Sequence, residues 1–299
     1  MPLQGAPKLA KGRSNDPSDN MTTSEPNYTA RLQAIPPSDA TFAACDPSLS
    51  PHLQPVIVTL PRRRDRWEKV VRALASAGIA RVRKFTAVDG ATLAENALRP
   101  LLHRNSIVSG EPTSHIQLTR PAIGCFLSHL KIWQRFLDDG GDRLMVLEDD
   151  ALPQQGYSTA SVERILAAMP ANADLVLLGC SIMAGLAEKT ENAAFCRVYY
   201  FNGTYAYLIT REGCAKLLQQ LLPMRAHIDH QISALLLKHR SSLFAYAVRP
   251  ALFEHDFSSW SDAYVPIAGT DAADRQLSAL FSSARNALSK DASVTLNEE

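Results

Sequence analysis

Three adjacent carboxylates follow a short apolar run near the middle of the chain. Residues 144–147 are apolar, and Glu148, Asp149 and Asp150 come directly after them. Side chains of an extended chain alternate between faces, so we expect Glu148 and Asp150 to project to one side and Asp149 to the other. Two carboxylates on one side can share a divalent cation, and their hard oxygen atoms suit Mn²⁺ or Mg²⁺. A solvated strand end is the alternative, and these residues alone leave it open.

A run of arginines forms the second chemical feature. Arg62, Arg63 and Arg64 follow a predicted strand at residues 56–60, and Arg66 falls in the first turn of the next predicted helix. Positive charge at a helix start opposes the helix dipole unless an anion is present. Guanidinium groups bind phosphate bidentately, so the run indicates a nucleotide phosphate nearby. A solvated surface run is the alternative, and we expect it to apply to at least two of the four arginines.

Short β-rich runs alternate with helical patterns from Pro55 onward, which is typical of an α/β domain. The predicted strands are 56–60, 82–88, 144–147, 175–178, 199–201, 205–209 and 243–248. The predicted helices are 65–77, 122–137, 161–169, 212–222, 230–238 and 274–288. The acidic strand should therefore lie in the centre of a mostly parallel sheet flanked by helices. Ligands of such sheets bind beyond the carboxyl ends of the strands.

Composition limits the classes of partner and location. The chain has 299 residues and a formal net charge of +1, so no global field recruits nucleic acid, and we expect no nucleic-acid partner. Its 5 cysteines are scattered, which favours reduced thiols in a reducing compartment. We find no apolar core of a signal peptide and no apolar stretch of the roughly 18 residues that a membrane span needs. We therefore expect a cytoplasmic protein, at most peripheral to a membrane.

Proline and polar residues divide the chain into three parts. Residues 1–50 are rich in Pro, Ser, Asn and Thr and lack apolar periodicity, which predicts a flexible tail. Residues 51–265 hold the α/β pattern and are predicted to form a single domain. Residues 266–299 are predicted to form one helix and a polar end.

Five blocks of the chain, in order, resemble glycosyltransferase family 25, the lipopolysaccharide and procollagen galactosyltransferase family. These blocks are VIVTLPRRRDR at 56–66, AVDG at 87–90, IGCFLSH at 123–129, LEDD at 147–150, and GTYAYLI at 203–209 followed by Asp229. The resemblance implies a GT-A-like fold and a UDP-sugar donor such as UDP-galactose or UDP-glucose. It also implies a divalent cation, usually Mn²⁺, and inversion at the anomeric carbon. The resemblance leaves the acceptor open among lipopolysaccharide or lipooligosaccharide, another surface glycan and a protein hydroxyl, and the lack of an export signal favours a lipid-linked glycan.

The resemblance also implies roles for the acidic strand end and the late part of the chain. Asp150 would be the principal metal ligand, Glu148 would bind the metal or the ribose, and His255 would add an imidazole ligand. Asp229 would be the base that deprotonates the acceptor hydroxyl. The alternative for Asp229 is a plain N-cap of the helix predicted from His230.

Further residues of the matching blocks would surround the donor. Arg62, Arg64 and Asp89 would line the nucleotide pocket. Ser128 and His129 lie in the IGCFLSH block, which would place them near the donor. A hydrogen-bonded structural histidine is the alternative for His129, and the sequence leaves it open.

Two other functions compete with sugar transfer. A metal-dependent phosphohydrolase or nuclease would gather carboxylates from several strand ends, whereas Asp89 is the other carboxylate that the predicted strand ends offer. A catalytically silent relative that binds nucleotide or a partner protein is the second alternative. The presence of Glu148, Asp150 and Asp229 argues against it without excluding it.

Overall fold

The structure is a computed structural model that describes residues 54–79, 81–104, 106, 118–182, 186–256 and 258, together with Ala30, Leu32 and Gln33. The predicted C-terminal helix at 274–288 and most of the predicted tail at 1–50 lie outside these residues. Leu32 is buried in the main hydrophobic core.

The described elements follow the predicted order closely. The strands are β1 (Val56–Thr59), β2 (Arg83–Thr86), β3 (Arg143–Glu148), β4 (Ala151–Pro153), β5 (Leu175–Ile182), β6 (Ala187–Lys189), β7 (Phe195–Val198), β8 (Phe201–Thr210), β9 (Ala245–Val248) and β10 (Phe253–His255). The helices are α1 (Arg64–Ser76), α2 (Glu95–Leu98), α3 (Arg120–Asp139), α4 (Thr159–Ala168), α5 (Arg211–Gln220) and α6 (Ile228–Lys238).

One sheet organises the domain, with the strand order β2-β1-β3-β8-β5-β9-β7-β6. Strand β1 is parallel to both β2 and β3, and β5 is parallel to β9. Strand β8 runs antiparallel between β3 and β5, which makes the sheet mixed. The predicted α/β fold with a central sheet flanked by helices is confirmed, and the acidic strand β3 lies inside the sheet as expected.

Helices cover both faces of this sheet because its inner strands are apolar on both sides. Leu144 and Val146 of β3 belong to one core, which also contains residues of α3, α5 and α6. Met145 and Leu147 belong to the other core, which includes α1 and part of α4. Two apolar layers therefore hold β3 rigidly and fix the position of its acidic end.

Two parts of the predicted secondary structure differ from the structure. The predicted strands 199–201 and 205–209 are one strand, β8, because Gly203 continues it with a positive φ of 87°. The hairpin of β6 and β7, which the predicted strands do not include, forms the edge of the sheet. Its edge strand β6 carries the partly buried Glu188 and the exposed Lys189, and charged residues are typical of edge strands that avoid pairing with other chains.

The described helices include none with both the length and the apolar character required to cross a bilayer. The described cysteines, Cys125, Cys180, Cys196 and Cys214, are free thiols.

Candidate active site

The acidic cluster lies where β3 ends. Strand β3 stops at Glu148, and Asp149 and Asp150 form the turn into β4. Strand alternation therefore does not apply beyond Glu148, and the predicted separation of Asp149 from Asp150 is wrong. Both aspartates contact Arg66, whereas Glu148 contacts residues of α3 and β8.

Arg66 is the buried cation of this cluster. Its Nη1 atom lies 3.0 Å from Asp149 Oδ1 and 3.1 Å from Asp150 Oδ2. Arg66 shares the buried face of α1 with Val70 and Leu74. The sequence interpretation did not separate Arg66 from the other arginines, although its i, i+4, i+8 spacing with those two residues marks it as inward-facing.

Asp149 is tied to β1 as well as to α1. Thr59 Oγ1 donates a 2.6 Å hydrogen bond to Asp149 Oδ2. Burial, reinforced by the charge of Asp150, raises the pKa of Asp149 to about 6, while the bonds from Thr59 and Arg66 oppose that rise. Asp149 therefore serves chiefly to anchor Arg66 and the turn.

Asp150 faces the chain that returns after β10. The His255 Nε2 atom lies 3.4 Å from Asp150 Oδ2, and the Asp256 N–H donates to the Asp150 carbonyl at 2.8 Å. The pKa of His255 is raised, mainly by its hydrogen bond to Asp150. Asp150 Oδ1 is buried and accepts no hydrogen bond from the described residues. An ionised oxygen without a donor is costly to bury, so this atom fits a cation ligand.

Glu148 is oriented by two side chains that bind the same oxygen. Thr204 Oγ1 donates to Glu148 Oε1 at 2.7 Å, and His129 Nε2 lies 3.2 Å from that oxygen. This arrangement leaves Glu148 Oε2 available to a ligand in the cleft.

A buried chain of hydrogen bonds supports His129. His129 Nδ1 lies 2.7 Å from the Tyr207 hydroxyl, which accepts a 2.9 Å bond from Trp133 Nε1. Because the indole can only donate, we assign the Tyr207 proton to Nδ1 and the imidazole proton to Nε2, facing Glu148. His129 is fully buried, so it acts on a ligand through Glu148.

Some of the residues predicted to bind the nucleotide sugar line the cleft, and one lies outside it. The cleft in front of the acidic cluster is lined by Arg62, Arg66, Asp89, Cys125, Ser128, His129, Glu148, Asp149 and Asp150, among others. Arg62 pairs with Asp89 at the cleft mouth. Arg64 is exposed and is not among the lining residues.

Ser128 and Gly124 fasten α3 to the loop that carries Asp89. The Ser128 hydroxyl accepts the Val88 N–H at 2.8 Å and donates to the Gly124 carbonyl at 2.7 Å. A Cβ on Gly124 would lie 2.5 Å from the Val88 carbonyl oxygen, so only glycine permits this approach. These contacts position the cleft wall, and binding of the donor by Ser128 itself stays a prediction.

Asp229 and Glu148 are held by adjacent residues of β8. The Gly203 N–H donates to Asp229 Oδ2 at 2.8 Å, and the adjacent residue Thr204 binds Glu148. Asp229 Oδ1 accepts the His230 N–H at 2.9 Å. Helix α6 begins at Ile228 with His227 as its N-cap, so the alternative of Asp229 as the N-cap is wrong.

Cys125 lies in the cleft close to these carboxylates. The sequence prediction gave it no role in the site. Burial raises the pKa of its thiol well above the usual value, and the charges of Glu148, Asp229, Asp150 and Asp149 raise it further. The candidate ligand atoms of Cys125, His129 and Glu148 lie within 4.8 Å of one another. The site is thus an anionic cleft with one cation, Arg62, at its mouth and another, Arg66, at its base.

The order of these groups along the chain matches a known family. Residues 52–232 match the model of glycosyltransferase family 25, described as an LPS biosynthesis protein family. The chain belongs to glycosyltransferase family 25. The matched region contains every site residue described above except His255 and Asp256.

Relatives and solved structures add context for this family 25 chain. It is 28% identical over 166 residues to human procollagen galactosyltransferase 2, covering 54% of this chain and 26% of the relative. It is 34% identical over 169 residues to human inactive glycosyltransferase 25 family member 3, covering 54% of this chain and 28% of the relative. The chain spans 26% to 35% of the length of the first curated relatives that it matches.

A solved structure of mouse xyloside xylosyltransferase 1 overlaps 63% of this chain and 69% of its own, with 14% identity and a TM-score of 0.37. A structural likeness at that level does not identify a function. The family and the residues of the cleft are the observations that bear on function.

Proposed function

We propose that the protein is a metal-dependent, inverting hexosyltransferase. The donor is UDP-galactose or UDP-glucose, and the acceptor is a glycan such as lipopolysaccharide or lipooligosaccharide. Family membership supports the sugar transfer, and the name of the human procollagen relative supports galactose. The free thiols agree with a reducing, cytoplasmic location, where the enzyme would work beside the membrane that carries its acceptor.

The buried Asp150 Oδ1 atom is the observation that carries the proposed metal site. This oxygen has no donor among the described residues, and the cluster holds three carboxylates against one guanidinium. A divalent cation held by Asp150 would balance the remaining charge, with Glu148 and His255 as the further ligands predicted from the sequence. In the described residues Glu148 lies within 4.8 Å of the candidate ligand atoms of Cys125 and His129, so its side chain would turn toward Asp150 when the cation binds. When bound, the cation supplies Lewis-acid neutralisation of the diphosphate leaving group. Carboxylate and imidazole ligands suit Mn²⁺, with Mg²⁺ as the alternative.

The residues of the cleft mouth hold the donor in this proposal. Arg62 lies where its guanidinium can bind the diphosphate, and Asp89 can accept a hydrogen bond from the nucleoside. Glu148 directs its second oxygen at the ribose or the cation, and the bonds from Thr204 and His129 keep that orientation. Arg64 was predicted as a donor residue from the sequence, and its exposed position gives it at most a long-range role.

Asp229 is the proposed base. An inverting displacement requires a base that removes the proton of the acceptor hydroxyl on the face opposite the nucleotide. The contacts of β8 support this role, because the successive residues Gly203 and Thr204 hold Asp229 and Glu148 close to each other. Two backbone N–H groups hold its carboxylate in place without neutralising its charge.

The test is turnover with a panel of UDP-sugars, with and without Mn²⁺, in wild type and in Asp150→Ala. We expect hydrolysis or transfer with one UDP-hexose, and a loss of at least about a hundredfold with EDTA or Asp150→Ala. Asp138→Ala is the matched control, because Asp138 is an exposed carboxylate at the end of α3. Equal turnover in wild type and Asp150→Ala, or turnover unaffected by EDTA, contradicts the proposal.

Asp229→Asn separates the base from a supporting role. Asparagine keeps one of the two acceptor oxygens, enough for the Gly203 N–H but not also for the His230 N–H, so stability should fall slightly. UDP binding should be retained while transfer falls by about a hundredfold or more. Loss of UDP binding together with transfer would assign Asp229 to the fold.

One relative motivates a second function. The human relative labelled inactive shares 34% identity with this chain, so family membership alone does not guarantee turnover. A silent homologue would show Mn²⁺-dependent thermal stabilisation by UDP without consuming any UDP-sugar. The same two assays therefore separate the enzyme from the binding protein.

A further inference from the structure

Lys69 on α1 holds the chain segment that follows β10. Its Nζ atom lies 2.6 Å from Asp256 Oδ2 and 2.8 Å from Ser258 Oγ. The Asp256 side chain is 7% exposed and the Lys69 side chain is 44% exposed, so the lysine reaches this buried carboxylate from the surface. Because a buried carboxylate that loses its cation is costly, the ion pair fixes the path of the chain where it leaves β10.

Asp256 connects this ion pair to the acidic turn. Its Oδ1 atom accepts the Ser258 N–H at 3.1 Å and the Ser258 hydroxyl at 2.6 Å, while its Oδ2 atom accepts from Lys69. Its backbone N–H donates to the Asp150 carbonyl at 2.8 Å. The side chain of Asp256 is therefore bound to α1, and its main chain is bound to the turn that carries Asp150.

His255 stands at the end of a short strand that needs this support. Strand β10 has 3 residues and pairs with β4 in a separate two-stranded sheet, in which His255 and Ala151 form the end pair. A two-stranded ladder of this length contributes little stability by itself. The bonds of the next residue, Asp256, therefore help to keep His255 Nε2 at its distance of 3.4 Å from Asp150 Oδ2.

Helix α1 supports both members of the pair formed by His255 and Asp150. Arg66 and Lys69 are three residues apart, so their side chains are neighbours on the helix surface. Arg66 holds the Asp150 carboxylate at 3.1 Å, and Lys69 holds the chain next to His255 through Asp256. Lys69 is not among the residues that line the cleft, so it can affect a cation there only through other residues.

We propose that Lys69 is a positioning residue of the candidate cation site, where its ion pair with Asp256 holds the His255 imidazole beside Asp150. This inference rests on the proposed function, because it takes Asp150 and His255 as ligands of the divalent cation. Residues that orient metal ligands from outside change the metal affinity about 10- to 100-fold when they are removed. Ligands that are already held in place need no further ordering when the cation binds, and this strengthens binding.

The direct electrostatic effect of Lys69 on a cation has the opposite sign. A positive charge near a cation site repels the cation, so removal of that charge without any other change should strengthen Mn²⁺ binding. Loss of the support for His255 should weaken Mn²⁺ binding instead. The direction of the change in Mn²⁺ affinity therefore separates positioning from simple repulsion.

The test compares the Mn²⁺ affinity of Lys69→Met with that of wild type in the presence of UDP, from the paramagnetic resonance signal of free Mn²⁺. We expect Lys69→Met to bind Mn²⁺ about tenfold more weakly. Lys69→Arg keeps the positive charge and should recover most of the affinity. Lys84→Met is the matched control, because Lys84 is also partly exposed and contacts α1, with its Nζ atom 4.8 Å from the centroid of the Trp67 ring. It should bind Mn²⁺ as wild type does.

His255→Ala provides the background that separates positioning from general support of the fold. If Lys69 acts through His255, the change Lys69→Met should have little further effect on Mn²⁺ affinity once His255 is alanine, because coupled residues are not additive. Urea denaturation shows that each variant is folded under the assay conditions.

Two results overturn the role of Lys69 and leave the proposed function intact. One is equal or tighter Mn²⁺ binding by Lys69→Met than by wild type, and the other is the same loss of affinity with and without His255. Wild type that binds no Mn²⁺ would contradict the proposed cation site itself, and this inference with it.

Discussion

Arg66 and Asp150 form a buried ion pair of 3.1 Å, with side chains that are 6% and 3% exposed. The same guanidinium also holds Asp149, so a single cation on α1 compensates two carboxylates that leave β3. Removing one partner of such a cluster leaves uncompensated buried charge, and that is more costly than the pair itself is worth. Arg66 is therefore structural as well as part of the cleft.

Arg66→Met should lower the free energy of unfolding by about 3 to 5 kcal/mol, measured by urea denaturation. Arg63→Met is the control, since Arg63 pairs with the exposed Asp65, and we expect a much smaller change. A similar loss in both variants would show that burial of Arg66 is not what stabilises the cluster.

Tyr207→Phe removes the hydroxyl that joins Trp133 to His129. Two buried groups then lack a partner, so we expect a loss of about 1 to 3 kcal/mol in stability. UDP binding in the presence of Mn²⁺ should weaken as well, because His129 no longer fixes Glu148.

Tyr246→Phe is the matched control for that change. Tyr246 belongs to the core on the other face of the sheet, and its hydroxyl donates to Asn172. Removing this hydroxyl should lower stability while UDP affinity stays unchanged. Calorimetric titration with UDP compares the two variants. Equal UDP affinity in Tyr207→Phe and wild type would rule out positioning of Glu148 by the buried chain.

Gly124→Ala should destabilise the protein, although alanine in a helix interior normally stabilises by about 1 kcal/mol. The new Cβ would lie 2.5 Å from the Val88 carbonyl oxygen and 2.6 Å from the Gly90 nitrogen. Helix α3 must then move away from the loop that carries Asp89. We expect a loss of about 1 to 3 kcal/mol in thermal or urea unfolding, and weaker UDP binding. A stabilised variant would show that α3 can shift at no cost.

Lys216 contributes stability that should be lost at alkaline pH. Burial lowers its pKa, but the hydrogen bonds to Glu212 and Asp174 outweigh burial and raise it above the ordinary value of 10.5. A lysine with a raised pKa stabilises the folded state fully below its unfolded pKa, and that contribution is lost as the pH rises through the folded value.

Lys216→Met should therefore cost about 1 kcal/mol at pH 8, and the difference from wild type should shrink above about pH 10.5. Lys238→Met, at an exposed position on α6, is the control and should show no such trend. Urea denaturation at several pH values measures both. A difference that stays constant to pH 11 would contradict the raised pKa.

The sequence predicted which residues meet at the cleft better than it predicted their contacts. Glu148, Asp150 and Asp89 were placed correctly near one cleft because strand ends in an α/β sheet meet at one edge. Residue type alone could not distinguish the buried Arg66 from the exposed Arg64, because the burial of Arg66 depends on α1 packing against the turn from β3. Alternation failed at Asp149 because the exact end of a strand depends on its partners.

Contacts between distant segments explain the remaining differences. The β6 and β7 hairpin forms because β7 pairs with β9, about fifty residues later, and its own polar residues give no periodic signal. Likewise, the chain from Glu148 to Trp133 requires Tyr207 from β8, and no local pattern marks that tyrosine as a partner.

Gly203 and Thr204 are successive residues of β8, and they hold Asp229 and Glu148 respectively. Under the proposed roles, Asp229 accepts the proton and Glu148 orients the nucleotide sugar. The spacing of two adjacent residues of β8 therefore sets the distance between these two carboxylates. The base cannot be re-aimed at a different hydroxyl without disturbing the donor. Strand β8 then fixes the geometry of transfer. A different acceptor preference can arise only from changes in the segments around this strand.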